Sequence, residues 1–365
     1  MNTIGTNIKA TFFGASHGPA IGVVIDGLPS GLLLDENAIR QELEKRKSPG
    51  AESTTRQEPD LFEFLSGVKN NRSTGAALCV LIPNKTAHRE DYPFESSIPR
   101  PSHADYPATV KYKGAADLSG GGIFSGRLTA LWVLVGTICR QILNQKHIRV
   151  VSHIETLHHV KDARFDQTNV NNECLESLEN SAFPVIFPEN EPKMRAEILR
   201  AKNDHDSVGG VIETAIVGLP PGIGEPLFQS FESVLSHVLF SIPAIKGIEF
   251  GSGFSLATMM GSEANDPYQM QDETIVTSTN HNGGILGGLS TGMPVIFRVV
   301  VKPTPSIPQL QASVDLQTKT NTTILVGGRH DPCIVHRAVH VVRAATLFAT
   351  LDLCRQSHDW DWFGL

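Results

Sequence analysis

Short runs of β-branched and other apolar residues recur along this chain, separated by turns rich in glycine and proline. Such runs are typical of strands, and they lie at residues 21–25, 78–82, 208–216, 295–301 and 322–326. Longer segments carry apolar residues at helical spacing, at residues 35–47, 127–145, 225–239 and 335–355. This mixture predicts an α+β fold in which helices cover the faces of sheets.

The chain of 365 residues is long enough for one large domain or for two closely packed halves. We interpret residues 1–365 as a single domain. Residues 144–204 are more polar than the rest, with patches rich in asparagine and glutamate between residues 166 and 180. This composition predicts a peripheral helical excursion from the domain.

The cellular setting is predicted from charge, cysteines and the amino terminus. The five cysteines are odd in number, scattered and without a C-x-x-C pair, which fits a reducing cytosol. The start lacks the features of a signal peptide, and no stretch approaches the roughly 18 apolar residues of a membrane span. The formal net charge of −7 does not favour nucleic acid or an anionic membrane. We therefore expect a cytoplasmic protein without nucleic-acid or membrane partners.

An anionic substrate would need a locally basic pocket in a chain of this charge. Lys302 follows a strand-like run and stands beside two prolines, a stiff turn suited to holding a phosphate. Arg329 and Arg337 have the planar fork that matches carboxylate or phosphate. Asp331 is a candidate proton acceptor, although an aspartate before proline is more often a turn former.

Residues 14–18, Gly-Ala-Ser-His-Gly, satisfy the G-x-S-x-G pattern of the serine-hydrolase nucleophile elbow. That elbow needs a helix after the turn, whereas Pro19 and a strand-like run at 22–27 follow here. A hydrolase with Ser16 as nucleophile is therefore disfavoured. A strand, turn and strand would instead present Ser16 and His17 at a sheet edge, where an imidazole can donate to an anion or leaving group. A turn histidine satisfied by backbone is an equally good interpretation of this pentapeptide.

Glycine-rich stretches at residues 119–122 and 280–288 would let backbone approach a flat or phosphorylated ligand. Neither a Walker loop nor a dinucleotide G-x-G-x-x-G motif is present, which disfavours nucleoside triphosphate chemistry. Tight turns remain an alternative explanation of these glycines. The histidines at 147, 153, 158 and 159 lie at irregular spacing without a metal-binding motif, and we predict no metal site.

Taken together and in order, these motifs closely resemble the chorismate synthase family. The resemblance rests on Phe-Gly-Ala-Ser-His-Gly at 13–18, Gly-Gly-Gly-Ile-Phe-Ser-Gly-Arg at 120–127 and Gly-Arg-His-Asp-Pro-Cys at 328–333. Further matches lie at residues 26–29, 47–50, 64–67, 103–106, 206–210, 261–266, 283–288 and 302–304. The resemblance implies a single-domain β-α-β sandwich, a homotetramer and a small anionic substrate. It further implies that reduced FMN, with NADPH as a possible reductant, is used to eliminate phosphate from 5-enolpyruvylshikimate 3-phosphate without net redox change.

The resemblance also implies roles for individual residues. The implied catalytic residues are His17, His103 and Asp331. The implied substrate contacts are Ser16, Arg46, Lys47, Arg127 and Arg337. The implied flavin contacts are Ile123, Phe124, Ser125, Pro243, Ala244, Gly287, Lys302, Pro303, Thr304, Pro305, Ser306 and Arg329.

Three departures from the family pattern stand out. Ala15 replaces a usual glutamate, Ile123 a usual arginine or histidine, and Arg343 the glutamate of the signature. They leave open an alternative, a divergent homologue that binds flavin or substrate with weak or no turnover.

Overall fold

The computed structural model describes residues 2–47, 58–85, 97–327 and 331–365. Its amino-terminal part is mostly strand, with one helix on which apolar residues recur toward the core. The elements are β1 Thr3–Ile4, β2 Lys9–Gly14, β3 Ala20–Asp26, β4 Ser30–Leu33, α1 Glu36–Lys47, β5 Glu63–Ser66, β6 Val68–Lys69, β7 Arg72–Thr74 and β8 Leu78–Pro83.

The remainder alternates helices with strands. Its elements up to the middle of the chain are α2 Asp105–Lys111, α3 Thr129–Leu143, β9 Arg149–Leu157, β10 Val160–Lys161, α4 Asn172–Asn180, α5 Asn190–Asn203, β11 Gly210–Val217 and α6 Phe231–Leu239. The last elements are β12 Ile245–Phe250, α7 Gly261–Ala264, β13 Tyr268–Gln271, β14 Thr274–Thr277, β15 Ile285–Leu286, β16 Leu289–Ser290, β17 Val295–Val301, β18 Leu310–Asp315, β19 Thr320–Leu325, α8 Val335–Ser357 and α9 Trp360–Phe363.

Two five-stranded antiparallel sheets enclose the long helices. The first sheet has the order β1-β2-β3-β8-β5 and the second β10-β9-β11-β17-β12. Helix α3 packs on β3 and on α8, and α8 packs on β9 and β11. The layers are therefore sheet, helices, sheet, as the predicted sandwich requires. Gly136 lets α3 approach α8 closely, because a Cβ atom there would lie 2.4 Å from the carbonyl oxygen of Ala344.

Helix α3 is apolar all round because it lies inside the sandwich. The segment of residues 119–146 is long and apolar enough to cross a membrane, contrary to the expectation from the sequence. In the fold, 72% of its most apolar window is buried in the protein. Its hydropathy is accounted for by a core helix between two sheets.

Most of the predicted elements are confirmed, and two predictions need correction. Residues 149–157 are not helical and not peripheral, because β9 pairs with β11 along its length and is almost wholly buried. The polar composition of residues 144–204 comes from α4, α5 and their loops, which surround this strand. The helix predicted from residue 225 begins only at Phe231, where the Ser230 hydroxyl accepts a hydrogen bond from the Ser233 amide as an N-cap.

The Arg343 departure is accommodated in the core by acidic partners. Arg343 is 5% exposed, and its guanidinium lies 3.6 Å from Glu42 of α1 and 3.7 Å from Glu179 of α4. Its Nε donates to the carbonyl oxygen of Val150. Burial by itself would raise the pKa of Glu42, but Arg343, Arg140 and Lys45 lower it to about 2. A buried cation at this position is thus compensated by charge.

Glu42→Gln is expected to destabilise the fold by roughly 3 kcal/mol at pH 7, the value of a pKa lowered from 4.5 to about 2. A depressed carboxyl pKa stabilises the folded state above its unfolded pKa, and that stability is lost as pH falls through the folded pKa. The difference in the free energy of unfolding between parent and variant should therefore shrink as the pH falls from 4.5 to 2. Urea denaturation across this pH range measures the difference. The control is Glu36→Gln, which removes the carboxylate of an exposed ion pair and should change stability by about 0.5 kcal/mol at most. A difference in unfolding free energy that does not change with pH would contradict the lowered pKa of Glu42.

Candidate active site

His17 lies in the tight turn that joins β2 to β3. The turn is closed by the Gly18 amide, which donates to the carbonyl oxygen of Ala15. The strand-turn-strand context is the one predicted, and Ser16 is fully buried at 0% exposure. A nucleophile elbow would present an exposed serine before a helix, so the hydrolase interpretation has no structural support.

The glycine turn at residues 119–122 covers the His17 imidazole. Gly120, Gly121 and Gly122 all have positive φ angles, and the Ser16 amide donates to the carbonyl oxygen of Gly122. A Cβ atom on Gly120 would lie 2.0 Å from Cε1 and Nδ1 of His17. Only a residue without a side chain allows the backbone to pass this close to the ring. These glycines therefore form a turn and also allow the backbone to lie close to the His17 ring.

His103 is held between two hydrogen bonds that fix its tautomer. Its Nδ1 lies 3.0 Å from the carbonyl oxygen of Pro101, which only accepts, so Nδ1 carries the proton. Its Nε2 therefore accepts from the Ser306 hydroxyl at 2.8 Å. Burial lowers the pKa of His103, and the nearby Arg100 guanidinium lowers it further. The neutral imidazole is thus the favoured form of the protein without ligand.

Ser306→Ala is expected to raise the pKa of His103 by about 0.5 to 1 unit, because the hydroxyl donates only to the neutral ring and one such bond is worth about 1 kcal/mol. Titration of the His103 ring by NMR measures this shift. Ser313→Ala is the matched control, since Ser313 tethers the same loop through the carbonyl oxygen of Pro99 at 2.6 Å. An unchanged pKa in Ser306→Ala, or the same shift in both variants, would contradict this role of Ser306.

Both histidine sites open onto one cavity of about 700 Å³. This volume is within the usual range for sites that hold a small ligand or cofactor. One part of the wall is apolar, formed by Phe124, Phe240, Ile242 and Pro243, and suits a flat ring. The predicted site residues that line the cavity are His17, Arg46, Lys47, His103, Ile123, Phe124, Ser125, Arg127, Pro243, Ala244, Lys302, Thr304, Pro305, Ser306, Asp331 and Arg337.

Three of the predicted residues that the structure describes are not brought to this cavity. Ser16 is buried beneath the turn, and Pro303 is not among the lining residues. Gly287 lies at the bend between β15 and β16, where its φ of 60° serves a two-residue hairpin turn. Arg329 lies outside the described residues. The alternative that glycines of the 280–288 stretch form tight turns therefore fits Gly287.

A buried carboxylate joins two of the predicted substrate cations. Asp60 is 3% exposed; one of its oxygens accepts from Arg46 Nη2 at 3.1 Å and the other from Arg127 Nη1. Burial would raise the pKa of Asp60, but the two guanidinium groups lower it. Arg46 Nε and Arg127 Nη2 are buried and donate to no atom of the described residues. Buried guanidinium donors of this kind are suited to bind an anion.

Asp331, the predicted proton acceptor, is paired with a predicted substrate cation. Its carboxylate accepts from Arg337 Nη1 at 2.6 Å, and Arg337 Nε donates to the carbonyl oxygen of Arg46 at 3.3 Å. Arg337 therefore connects Asp331 to the Arg46 and Asp60 cluster. The Lys47 ammonium contacts Glu44 and the carbonyl oxygen of Pro59, and Lys302 donates to the carbonyl oxygen of Ser102. The cations at the cavity are thus placed by specific oxygen partners.

Reasoning from the sequence missed several residues of the site. Asp60 was not singled out, nor was Asn84, whose side chain accepts from Arg127 Nε at 3.0 Å. Arg100 lines the cavity and is held by two parallel hydrogen bonds of 2.8 Å to Asp105. The signal available was a set of acidic and amide residues near the basic motifs, but the contacts of Asp60 and Asn84 with Arg127 connect residues far apart in sequence.

Two histidines of the group at residues 147–159 are held by carboxylates away from the cavity. His153 is fully buried between Glu213, at 2.9 Å, and Asp162, at 3.6 Å, and these carboxylates raise its pKa against the effect of burial. His158 pairs with Glu197 at 2.6 Å. Among the described residues, no group of three or more histidine, cysteine or acidic residues is arranged to hold a metal ion.

Comparison with known proteins assigns the chain to a family. The family model described as chorismate synthase matches residues 8–354. The chain belongs to the chorismate synthase family. A chorismate synthase from Dehalococcoides mccartyi is 43% identical over 362 residues and 96% of each chain is covered. One from Pyrococcus abyssi is 42% identical over 350 residues, covering 95% of this chain and 96% of the relative.

The structural comparison agrees with the sequence comparison. A crystal structure of chorismate synthase superimposes with a TM-score of 0.77 at 25% identity, covering 97% of this chain and 93% of that chain. The predicted α+β sandwich of the chorismate synthase type is confirmed. Chorismate synthases are carbon–oxygen lyases of the shikimate pathway, and membership of this family confirms the prediction of an enzyme.

Proposed function

We propose that this chain eliminates phosphate from 5-enolpyruvylshikimate 3-phosphate to form chorismate, with reduced FMN bound in the cavity. The observation that carries the proposal is the convergence of both predicted histidines and the cations Arg46, Arg127 and Arg337 on one cavity. A substrate with two carboxylates and a phosphate requires several cations, which the overall negative charge of the chain does not provide. The relatives named above carry the same activity in their names.

The residues of the cavity suit the chemistry of this elimination. The bond between a ring carbon and the ester oxygen of the phosphate breaks, a proton leaves another ring carbon and a carbon–carbon double bond forms, so the elimination is redox neutral. Arg127 and Arg46 supply buried donors for the substrate anions. His17, beside this cluster, is the proposed donor of a proton to the departing phosphate. Asp331 is proposed to help accept the proton that leaves the substrate, and His103 is proposed to donate a proton to the reduced flavin.

The same cavity has features that fit a flavin. Its wall combines apolar side chains, including Ile123 and Phe124, with the polar edge formed by Lys302, Thr304 and Ser306. Burial and the neighbouring Lys246 lower the pKa of Lys302. In this environment an anionic ligand would stabilise the charged ammonium group. When bound, reduced FMN supplies electron density to the substrate and an acceptor for its proton. NADPH is the proposed source of the reducing electrons.

An anaerobic assay tests the function. Photoreduced FMN and the phosphate ester are mixed with the chain, and phosphate and chorismate are measured together. We expect both products in equal amounts with reduced FMN and neither with oxidised FMN. Equal rates with oxidised FMN or without flavin would contradict the proposed chemistry. Binding of flavin or ester without product would support the alternative of a divergent homologue, which Ala15 and Ile123 motivate.

The quaternary state and location are also proposals. Large apolar side chains lie exposed on the single chain: Phe228 at 87%, Phe254 at 84% and Met260 at 72%. Exposed apolar residues of this size are typical of interfaces, which supports self-association, and the number of four subunits is proposed from the family resemblance. Sedimentation of the purified chain tests it, with a monomer as the contradicting result. All five cysteines are free, in keeping with the proposed cytoplasmic location.

A further inference from the structure

Asn84 lies directly after β8 and connects the His17 turn to Arg127. Its side-chain Nδ2 donates to the carbonyl oxygens of Ala15, at 3.0 Å, and of Gly18, at 2.8 Å. Its Oδ1 accepts from Arg127 Nε at 3.0 Å. The orientation of the amide is fixed by these partners, since carbonyl oxygens only accept and a guanidinium only donates.

The two carbonyl groups that Asn84 binds flank His17 in the chain. Its backbone amide also donates to the carbonyl oxygen of Pro19 at 3.0 Å, so the turn is held at three points. Ala15 lies two residues before His17 and Gly18 one residue after it, so these contacts restrain the turn from which the His17 side chain leaves the backbone. The glycine turn on the other side of the ring leaves the imidazole little room to change position.

The second half of the contact orients the guanidinium. Arg127 Nε is held by Asn84 and Nη1 by Asp60, which leaves Nη2 as the buried donor without a partner among the described residues. Because a guanidinium is planar, two fixed nitrogens determine where the third points. The direction in which Arg127 meets an anion is thus set by Asn84 and Asp60 together.

We propose that Asn84 is a positioning residue that holds His17 and Arg127 in one fixed relation, so that the imidazole meets an anion bound by Arg127. This inference rests on the proposed function for the identity of the anion, a phosphate ester. No other side chain of this size has both two donors for the turn and an acceptor for the arginine. Aspartate lacks the donors, and leucine lacks both.

The variant Asn84→Asp separates the two halves of the contact. It keeps an acceptor for Arg127 and places an oxygen against two carbonyl oxygens of the turn. We expect kcat to fall by about 10²-fold, the scale of a displaced acid or base, while KM for the ester changes by about threefold at most. In the His17→Ala background the same substitution should cost about twofold or less, because both changes act through one group.

The control is Ser66→Ala in the neighbouring strand β5. Ser66 Oγ donates to the carbonyl oxygen of Ala77 at 2.9 Å, so the variant also removes a hydrogen bond from side chain to backbone in this sheet. It should retain the parental kcat. An unchanged kcat in Asn84→Asp would overturn the proposal. So would an equal fold-loss of kcat from Asn84→Asp in the parent and in the His17→Ala background.

A measurement without turnover separates this inference from the proposed function. Inorganic phosphate is added to the parent and to Asn84→Leu, and the pKa of His17 is followed by NMR. An anion beside the ring favours the charged imidazole, so phosphate should raise the pKa by about 1 unit in the parent and by about 0.3 unit or less in the variant. A parent that responds to phosphate but forms no product would contradict the function alone. Equal responses in parent and variant, or none in the parent, would overturn the coupling.

Discussion

Asp60→Asn is expected to lower the free energy of unfolding by about 3 to 5 kcal/mol, the cost of removing one partner from a buried ion cluster. Arg46 and Arg127 would remain buried without a compensating charge, and burial already lowers the pKa of Arg46 to about 10. Asparagine is the suitable replacement because Asp60 has a φ of 52°, a conformation that asparagine tolerates and alanine resists. Chemical denaturation of parent and variant measures the loss.

Phosphate makes this experiment specific to the site. An anion that binds the folded state stabilises it by mass action, and in Asp60→Asn it would also supply the missing negative charge. The stabilisation by phosphate should therefore be larger in the variant than in the parent. Asp26→Asn, which changes an exposed carboxylate at the end of β3, is the control and should alter stability by about 0.5 kcal/mol at most. A phosphate effect of the same size in all three proteins would show that Asp60 does not organise an anion site.

Gly120→Ala is expected to lower kcat by about 10²-fold, close to the effect of His17→Ala. The added methyl group would lie 2.0 Å from the His17 ring, so the imidazole must move away from its present position. Steady-state kinetics under anaerobic conditions measure the loss, and equilibrium titration shows whether flavin still binds. We expect flavin affinity to be retained within about threefold, because Gly120 acts through the histidine.

Gly121→Ala is the matched control for backbone strain. Gly121 has a φ of 91°, against 56° at Gly120, so alanine is at least as strained there. Its Cβ atom would have Ser125 Cβ as nearest neighbour at 3.5 Å, an ordinary contact. We expect a loss of kcat below about tenfold. If kcat fell equally in the two variants, backbone strain would explain the effect, and Gly120 would have no role in positioning His17.

The outcome at residues 144–204 shows why sequence pattern misjudged one strand. β9 contains Arg149, Ser152, His153 and Glu155, a composition that reads as polar. In the fold Ser152, His153 and Glu155 are buried; Ser152 bonds Thr214, and His153 bonds Glu213 on the adjacent strand. The polar residues interrupt the apolar run of Val150, Val151, Ile154 and Leu157, and their burial depends on partners that β11 provides.

Some residues of the active site were likewise predicted from the sequence and others were not. The turn before β3 and the histidine motif were predicted from local pattern, and the structure brings His17 and His103 to one cavity. The functions of Asp60 and Asn84 were not predicted, because neither has a motif of its own. Each is defined by a contact with Arg127, which is 67 residues from Asp60 and 43 from Asn84 in the chain. The pairing of Asp331 with Arg337 was also not anticipated, although the two lie close in sequence.

The sequence by itself determined the family, the α+β class and the positions of most strands and helices, because these depend on ordered motifs and on periodicities that extend over a few residues. Tertiary structure alone decided which carboxylates and amides neutralise and orient the cations of the cavity. It also decided that the glycine at 120 lies against His17, whereas Gly287 lies in the hairpin turn between β15 and β16. The physical reason is that hydrogen bonds and close contacts depend on distances in space, and these are set only when both sheets have packed on α3 and α8.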